Sequence, residues 1–392
     1  MFSRHNKIMD KRIKILPEVL MNNRLEKDIQ KMMFPVHLMF SIFLASKYTI
    51  KDDYVTPKGR VYRIFTFVFV AILFGMTVNR LFLEGIEDTL GLYNFDLVSL
   101  FYIYFCFFYL TLLAILFYLN MIHSEANISL ILLIQKIYLG LDFSDNLKII
   151  TRRNWIGIVG TFLLNIFLQY LFYTTFDEFH LIDTILDFLF TIFDLNLVYS
   201  LLVLLLLRKY LEKWIKLVIS DFDDKTSVKL FVLYRNIIEA YNHYKTTFKL
   251  LIMFHTVDTF TRCLFYFTLA LQKLRMLDNV EDDKRDLQQS VTVVLAVVWL
   301  SKNIFVLVMH SVLGEKFYIT IEEAETACIQ RLKNRNYFEY EGVLCKEVVQ
   351  LNRVSFSKLD AFGLFHIDGT LPLHFAGIVT NYIVLILQTM FL

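Results

Sequence analysis

The sequence predicts an all-α membrane protein whose seven transmembrane helices form one domain. Of its 392 residues, 56% are hydrophobic and 16% aromatic, which is more apolar surface than one water-soluble core can bury. The chain has 39 phenylalanines but only 12 glycines and 4 prolines, a composition that favours long helices over a barrel of short strands. Seven stretches are apolar over about 18 residues or more, the length needed to cross roughly 30 Å of hydrocarbon.

The predicted spans are spread over the chain from residue 61 onward. They run over about 61–79, 97–119, 155–174, 182–207, 247–271, 290–312 and 374–392. A shorter apolar run at 32–46 contains Pro35 and His37, and we expect it to form an interfacial or re-entrant helix. Residues 1–31 are charged throughout, so no cleavable signal peptide is expected. Residues 1–60 are therefore predicted to be a cytoplasmic N-terminal segment, and residues 61–392 the seven-helix domain.

The basic residues predict the orientation of the domain, because Lys and Arg near the ends of spans stay in the cytoplasm. Twelve Lys and Arg residues lie in the N-terminal segment 1–60. A further 4, 8 and 7 lie in the loops between spans at 120–153, 208–246 and 313–373. The other side holds five, which are Arg80, Lys273, Arg275, Lys284 and Arg285. This asymmetry predicts a cytoplasmic N-terminus and an extracellular C-terminus.

The fourth and fifth helices are predicted to extend beyond the membrane. Leu211, Trp214 and Val218 continue the apolar stripe after the fourth span, and Leu230 and Tyr234 resume it before the fifth. Each extension would reach roughly 20 Å into the cytosol at 1.5 Å per residue, with a turn between the two. The extensions are explained equally well as covers for their own spans and as contacts with other subunits.

Motifs for catalysis are missing from the sequence. We find no phosphate-binding glycine loop, no nucleophile with a recognisable base and no His/Cys cluster at metal spacing. His366 and His374 flank Asp368, which a helix boundary explains better than a metal site. We expect no enzyme activity, no cofactor and no metal. Nucleic acid is not expected as a partner either, since membrane orientation accounts for the basic residues.

Ionisable residues inside spans are costly in hydrocarbon and usually face a partner or a cavity. Here they are Asp183, Asp187 and Asp194 in the fourth span, Asp258 and Arg262 in the fifth, and Lys302 in the sixth. Salt bridges between neighbouring helices are the favoured interpretation. The alternative is that some of these residues line an aqueous pocket that opens to the outside.

The predicted outer half of the bundle combines aromatic side chains with a few amides and hydroxyls, which suits a small and partly apolar organic ligand. The candidate ligand-binding residues are Tyr102, Tyr104, Gln169, Tyr173, Asp187, Asp194, Arg262, Tyr266 and Trp299. Packing in the core or against lipid is the alternative for each aromatic residue among them.

The C-terminal sequence resembles the signature of insect gustatory receptors. That signature is Thr-Tyr, five apolar residues and then Gln-Phe; here Asn381-Tyr382, IVLIL and Gln388-Thr389 follow the same spacing. Tyr382 and Gln388 match it, whereas Asn381 and Thr389 depart from it. The preceding FGLFHIDGTLPLHFAGIV is also similar to the family's lead into the last helix. The inverted topology, a length near 400 and the extended helices agree with the resemblance.

The resemblance implies a ligand-gated, non-selective cation channel in which each of four subunits contributes its last helix to a central pore. The implied pore residues are Tyr382, Leu385, Gln388 and Thr389. Four Gln388 carboxamides would face a partly hydrated cation, and Leu385 would close the pore by dewetting. An interhelical hydrogen bond is the alternative for Gln388.

The same resemblance implies a place and partners for the protein. It would lie in the plasma membrane of a taste neuron, in contact with membrane lipid, as a homotetramer or a hetero-oligomer with related receptors. A small-molecule tastant would open it, with a bitter plant compound favoured over a sugar. A G-protein-coupled receptor is one alternative, but it needs an extracellular N-terminus. A secondary transporter is the other; Asp258, Arg262 and Lys302 favour it, but inverted repeats are not found.

Overall fold

The computed structural model describes most of the chain as helix. The described residues are 23–43, 45–80, 97–176, 181–220, 222–276, 283–333 and 338–391. The helices are α1 (Lys27–Ile42), α2 (Arg60–Arg80), α3 (Leu97–Phe117), α4 (Ser124–Gly140), α5 (Leu147–Phe176), α6 (Leu181–Ile219), α7 (Asp224–Met276), α8 (Asp283–Lys333), α9 (Glu339–Ser355) and α10 (Leu371–Phe391). Two short strands, β1 (Thr49–Lys51) and β2 (Tyr54–Thr56), pair antiparallel.

Each predicted span corresponds to a separate helix: α2, α3, α5, α6, α7, α8 and α10. The span 97–119 runs two residues past the end of α3, and the span 374–392 ends one residue beyond the described part of α10. Of the described helices, five are long and apolar enough to cross a membrane: Arg60–Asn79, Ser144–Thr174, Thr191–Ile219, Val293–Lys333 and Leu371–Thr389. A bent pair, Leu110–Met121 and Ser124–Gly140, would make a sixth. The predicted span 247–271 is not among them, because Asp258 and Arg262 interrupt its apolar run. The protein is a multi-pass membrane protein, while the count of seven and the orientation stay predictions.

The extensions of the fourth and fifth predicted helices are continuous with their spans, as the sequence predicts. Trp214 of α6 donates its indole N–H to the carbonyl of Leu230 in α7 at 2.8 Å, and its ring lies 4.5 Å from that of Tyr234. All three side chains are buried. Helix α9 packs beside them, against α7 and α8. An apolar seam between the two helices holds the extensions together, and their direction into the cytosol stays a prediction.

The loop expected at 120–153 contains α4, which is buried along most of its length and packs on α7. A π-helical turn at Tyr118–Ile122 separates it from α3, and the chain bends there by 55°. Asn127 donates its side-chain amide to the carbonyls of Leu119 at 3.3 Å and His123 at 2.9 Å, which satisfies backbone acceptors at the bend. The connection between the second and third predicted spans is therefore largely helical, and this 17-residue helix is too short to be recognised as a span from the sequence.

The run at 32–46 lies largely in α1, with Pro35 inside the helix. Its buried face, which includes Met32 and Val36, packs on α5, where Asn154 donates its amide to the carbonyl of Met32 at 2.8 Å. An interfacial location for this helix stays a prediction. Helix α1 therefore packs against the helices that follow it, while the division at residue 60 stays a prediction.

Candidate functional site

A buried ion pair joins the helices in the middle of the bundle. The ammonium of Lys302 in α8 lies 2.5 Å from a carboxylate oxygen of Asp194 in α6 and 3.1 Å from the amide oxygen of Asn165 in α5. The same ammonium lies 4.3 Å from the ring centroid of Trp299. The Lys302 and Asp194 side chains are only 9% and 7% exposed. One lysine therefore ties three helices together through a charge-assisted contact.

A second ion pair lies within α7. The Nε atom of Arg262 donates to both carboxylate oxygens of Asp258 at 2.8 Å, across one turn of the helix. The guanidinium also lies 5.2 Å from the ring centroid of Phe108 in α3. The Lys302–Asp194 pair matches the interpretation of salt bridges between neighbouring helices, whereas Asp258 and Arg262 pair within one helix. In both pairs the charges are neutralised where they would otherwise be costly.

An aromatic cluster connects the two ion pairs. Phe108 stacks on Phe254 of α7 with ring centroids 4.7 Å apart, and Phe254 meets Phe193 of α6 edge-on at 5.7 Å. Phe193 also lies 6.0 Å from the ring of His255, whose Nε2 is 3.1 Å from the carbonyl oxygen of Asn303 in α8. Aromatic faces beside fixed charges are typical of sites for small organic molecules with one polar end, so this cluster stays a candidate site.

The structure brings some of the predicted ligand-binding residues together. Asp194 and Trp299 meet around Lys302, while Tyr104 and Arg262 both contact Phe108. Gln169 is buried on α5, one turn beyond Asn165. Tyr173 and Tyr266 are half-buried, with Phe172 and Phe265 as ring neighbours. Tyr102 lies on α3 and Asp187 on α6, but their side chains are outside the described residues. A ligand contact for any of the nine stays a prediction.

Sequence reasoning missed several residues of this cluster. Phe108, Phe193 and Phe254 could not be told apart from the 36 other phenylalanines of the chain. His255 and Asn303 gave a usable signal, because a polar residue within an apolar helical run is usually buried against a partner. Pairing them still required the packing of α7 against α8.

A groove of about 420 Å³ lies elsewhere, between the C-terminal parts of α6 and α8. Its lining includes Ile219 and Ile319, which are 66% and 45% exposed. It is separated from Lys302 by roughly 25 Å along α8 at 1.5 Å per residue. The groove and the predicted ligand site are therefore different places.

The predicted pore residues lie on α10, at the edge of the domain. Tyr382 and Leu385 are 48% and 53% exposed, and Gln388 and Thr389 are exposed as well. The ring of Tyr382 meets Phe260 of α7 at 5.6 Å. The hydroxyl of Thr389 donates to a carbonyl of its own helix at 2.9 Å. In a single chain, α10 thus presents polar groups on a surface that other subunits or lipid would have to cover.

Lys47 lies outside the predicted spans, between α1 and β1, and is fully buried. Its ammonium faces the rings of Phe40, Tyr199 and Phe248 at 5.3, 5.0 and 4.9 Å, a threefold cation–π contact. It has no hydrogen-bond partner among the described residues. Burial lowers the pKa of Lys47 to about 7. The charge of this lysine therefore depends on pH near neutrality.

Asp368 and the histidines that flank it in sequence do not form a metal site in the described structure. Across the described ranges, no group of three or more His, Cys, Asp or Glu side chains is close enough to hold one. The carboxylate of Asp368 instead accepts the backbone N–H and the hydroxyl of Thr370 at 3.0 and 2.6 Å, next to the start of α10.

The architecture is that of a largely helical multi-pass membrane protein, and its fold is similar to that of a solved insect receptor. It is similar to the solved structure of the insect olfactory receptor OR5 from Machilis hrabei in complex with eugenol, with a TM-score of 0.54 and 12% sequence identity. The similarity covers 93% of this chain and 98% of that one. No protein-family model and no curated protein matches the sequence. The resemblance noted from the C-terminal residues is thus confirmed at the level of the fold.

Proposed function

We propose that the protein is a gustatory receptor, a ligand-gated and non-selective cation channel that a small tastant opens to depolarise a taste neuron. The fold similarity to an olfactory receptor over 93% of the chain carries the proposal. The Tyr382–Gln388 spacing favours the gustatory branch over the olfactory one, because it follows the C-terminal signature of that family.

The proposed pore is built by α10 from each subunit of a homotetramer or of a hetero-oligomer with related receptors. Support comes from the exposed face of α10, which carries Leu385, Gln388 and Thr389 on one side of the helix and leaves them uncovered in a single chain. A ring of carboxamides attracts cations through partial charges alone, so it conducts them without strong selectivity.

The proposed ligand site is the aromatic and ionic cluster between α3, α6, α7 and α8. A bitter plant compound is the first choice and a sugar the second, because the walls are mainly aromatic rings with few hydrogen-bonding groups. Eugenol, which the similar olfactory receptor binds, has a phenol and an aromatic body of matching character.

The two ion pairs weaken the case for a secondary transporter. Asp258, Arg262 and Lys302 favoured that function as intramembrane charges, but the structure pairs Arg262 with Asp258 and Lys302 with Asp194. Charges that neutralise one another within the bundle have a structural role that requires no transported ion.

The test is a current evoked by an agonist panel of eugenol, caffeine, salicin and sucrose, applied to membrane patches excised from cells that express the chain. Patches without guanine nucleotide should still open, because the channel needs no G protein. Cells without the chain are the control. Currents that require GTP would identify a G-protein-coupled receptor, and uptake without channel current would identify a transporter.

A further inference from the structure

Residues 356–370 connect α9 to α10 and form an ordered element, called the strap below. The strap folds back on itself, with the N–H of Ile367 donating to the carbonyl of Leu359 at 2.9 Å. Phe362 and Gly363 form its tight turn with φ angles of 56° and 80°. Because the strap has its own hydrogen bonds, a movement at one of its ends can be transmitted to the other end. A linker without such bonds would absorb the movement.

Tyr318 of α8 fastens the strap at both of its arms. The Tyr318 hydroxyl accepts the N–H of Leu359 at 3.0 Å and donates to the carbonyl of Ile367 at 3.1 Å. Tyr241 of α7 donates its hydroxyl to the hydroxyl oxygen of Tyr318 at 3.3 Å. One buried hydroxyl is therefore bonded to both arms of the strap and to α7.

Gly314, one turn before Tyr318, lets the strap lie against α8. A Cβ atom at this position would come within 2.9 Å of the carbonyl oxygen of Ile367, so any larger residue must displace the strap backbone. The position requires glycine for close approach, although its backbone is ordinary helix.

Basic residues of α7 hold the other side of the strap. Lys245 donates to the hydroxyl of Ser357 at 2.7 Å and to its carbonyl at 3.1 Å. Lys249 lies 3.8 Å from the carboxylate of Asp360 and 4.1 Å from the ring centroid of Phe362. The strap is thus clamped between α7 and α8.

These same two helices carry Lys302 and the Asp258–Arg262 pair of the proposed ligand site. Lys302 and Tyr318 are separated by roughly 24 Å along α8 at 1.5 Å per residue. Most of α10 is exposed, so the rest of the chain holds this helix with few contacts along its length. The strap therefore provides a fixed attachment between the start of α10 and helices α7 and α8. We propose that Tyr318 is a positioning residue that couples movement of α8 to the pore helix α10 through the strap, an inference that rests on the proposed function.

Tyr318→Phe tests the coupling, because it removes one hydroxyl and leaves the ring. Losing its hydrogen bonds should shift the open–closed equilibrium by about tenfold. We expect the ratio of open to closed time at a saturating dose of the most active panel compound to fall at least fivefold, with unitary conductance unchanged. The ratio is measured on single channels, so it does not depend on the number of channels at the surface. A residue that only stabilised the fold would lower surface amount and leave open probability unchanged.

Gly314→Ala displaces the same strap without removing a hydrogen-bonding group, and we expect the same loss. Matched controls are Tyr210→Phe, whose buried hydroxyl has no hydrogen-bond partner among the described residues, and Gly75→Ala, which has no atom within 4 Å of the added methyl. Wild-type open probability in both Tyr318→Phe and Gly314→Ala would overturn the inference. A wild-type chain that reaches the surface and stays silent to every panel compound would overturn the proposed function instead.

Discussion

Replacing Lys302 by methionine should destabilise the bundle, because it leaves the carboxylate of Asp194 buried without its partner. The two groups are 2.5 Å apart, and both side chains are at least nine-tenths buried. Removing one member of such a pair costs roughly 3–5 kcal/mol. At about 2 °C per kcal/mol for a large domain, the apparent melting temperature should fall by roughly 6–10 °C.

Removing both charges separates the value of the pair from the cost of an orphaned charge. Asp194→Leu combined with Lys302→Met should recover most of the loss, because apolar replacements of a buried pair are often neutral. Size-exclusion chromatography of heated, detergent-solubilised protein measures the melting temperatures. Lys31→Met is the matched control: Lys31 is 70% exposed and 3.9 Å from Asp28, and a surface pair of this kind contributes less than about 1 kcal/mol.

Two results would refute this reasoning: Lys302→Met melting like Lys31→Met, or losses from the single variants that simply add in the double variant. The stable double variant also tests the ligand site. We expect it to need at least tenfold more agonist for half-maximal current, since it lacks the polar groups beside Trp299. An unchanged concentration dependence would remove Asp194 from the ligand site and leave channel function standing.

Three further predictions concern topology, gating and pH. An epitope after Leu392 should be labelled on intact cells and one before Met1 only after permeabilisation; the reverse pattern would contradict the inverted topology. Leu385→Ser should wet the constriction and give basal current without agonist, whereas silent patches would place the gate elsewhere. Lys47→Met should raise stability most at low pH: the pKa of Lys47 is about 7 when folded and about 10.5 when unfolded, so wild-type stability rises with pH across that window. The stability gained by Lys47→Met should be roughly 3 kcal/mol smaller at pH 9 than at pH 6 in thermal melts. An equal gain at the two pH values would contradict a lowered pKa of Lys47.

The positions of the helices could be predicted from sequence, because crossing a membrane imposes a minimum apolar length on each span. The predicted span 61–79 differs from α2 by one residue at each end. Helix α4 could not be predicted this way, since it is short and is buried by α7 instead of lipid. Its apolar run SLILLIQ is typical of a buried segment. A helix buried against protein has no minimum apolar length, so the length rule for spans cannot detect it.

Partners within one helix could be predicted, and partners between helices could not. Asp258 and Arg262 are four residues apart, so helical periodicity alone places them together. Lys302 and Asp194 are 108 residues apart, and their pairing depends on how α6 and α8 pack. The contacts of Tyr318 with the strap depend in the same way on the turn at Phe362 and Gly363.

The reversal potential of Gln388→Glu tests most directly whether α10 lines a cation pore. In a tetramer this change adds four carboxylates at one level of the pore, which should attract divalent cations more strongly than monovalent ones. With Ca²⁺ outside and Na⁺ inside, we expect the reversal potential of the agonist current to move to more positive values than in the wild type. Gln330→Glu is a matched control, because Gln330 is exposed near the C-terminal end of α8 and not on α10. An unchanged reversal potential in Gln388→Glu, with currents of normal size, would contradict the account and place the conduction path elsewhere.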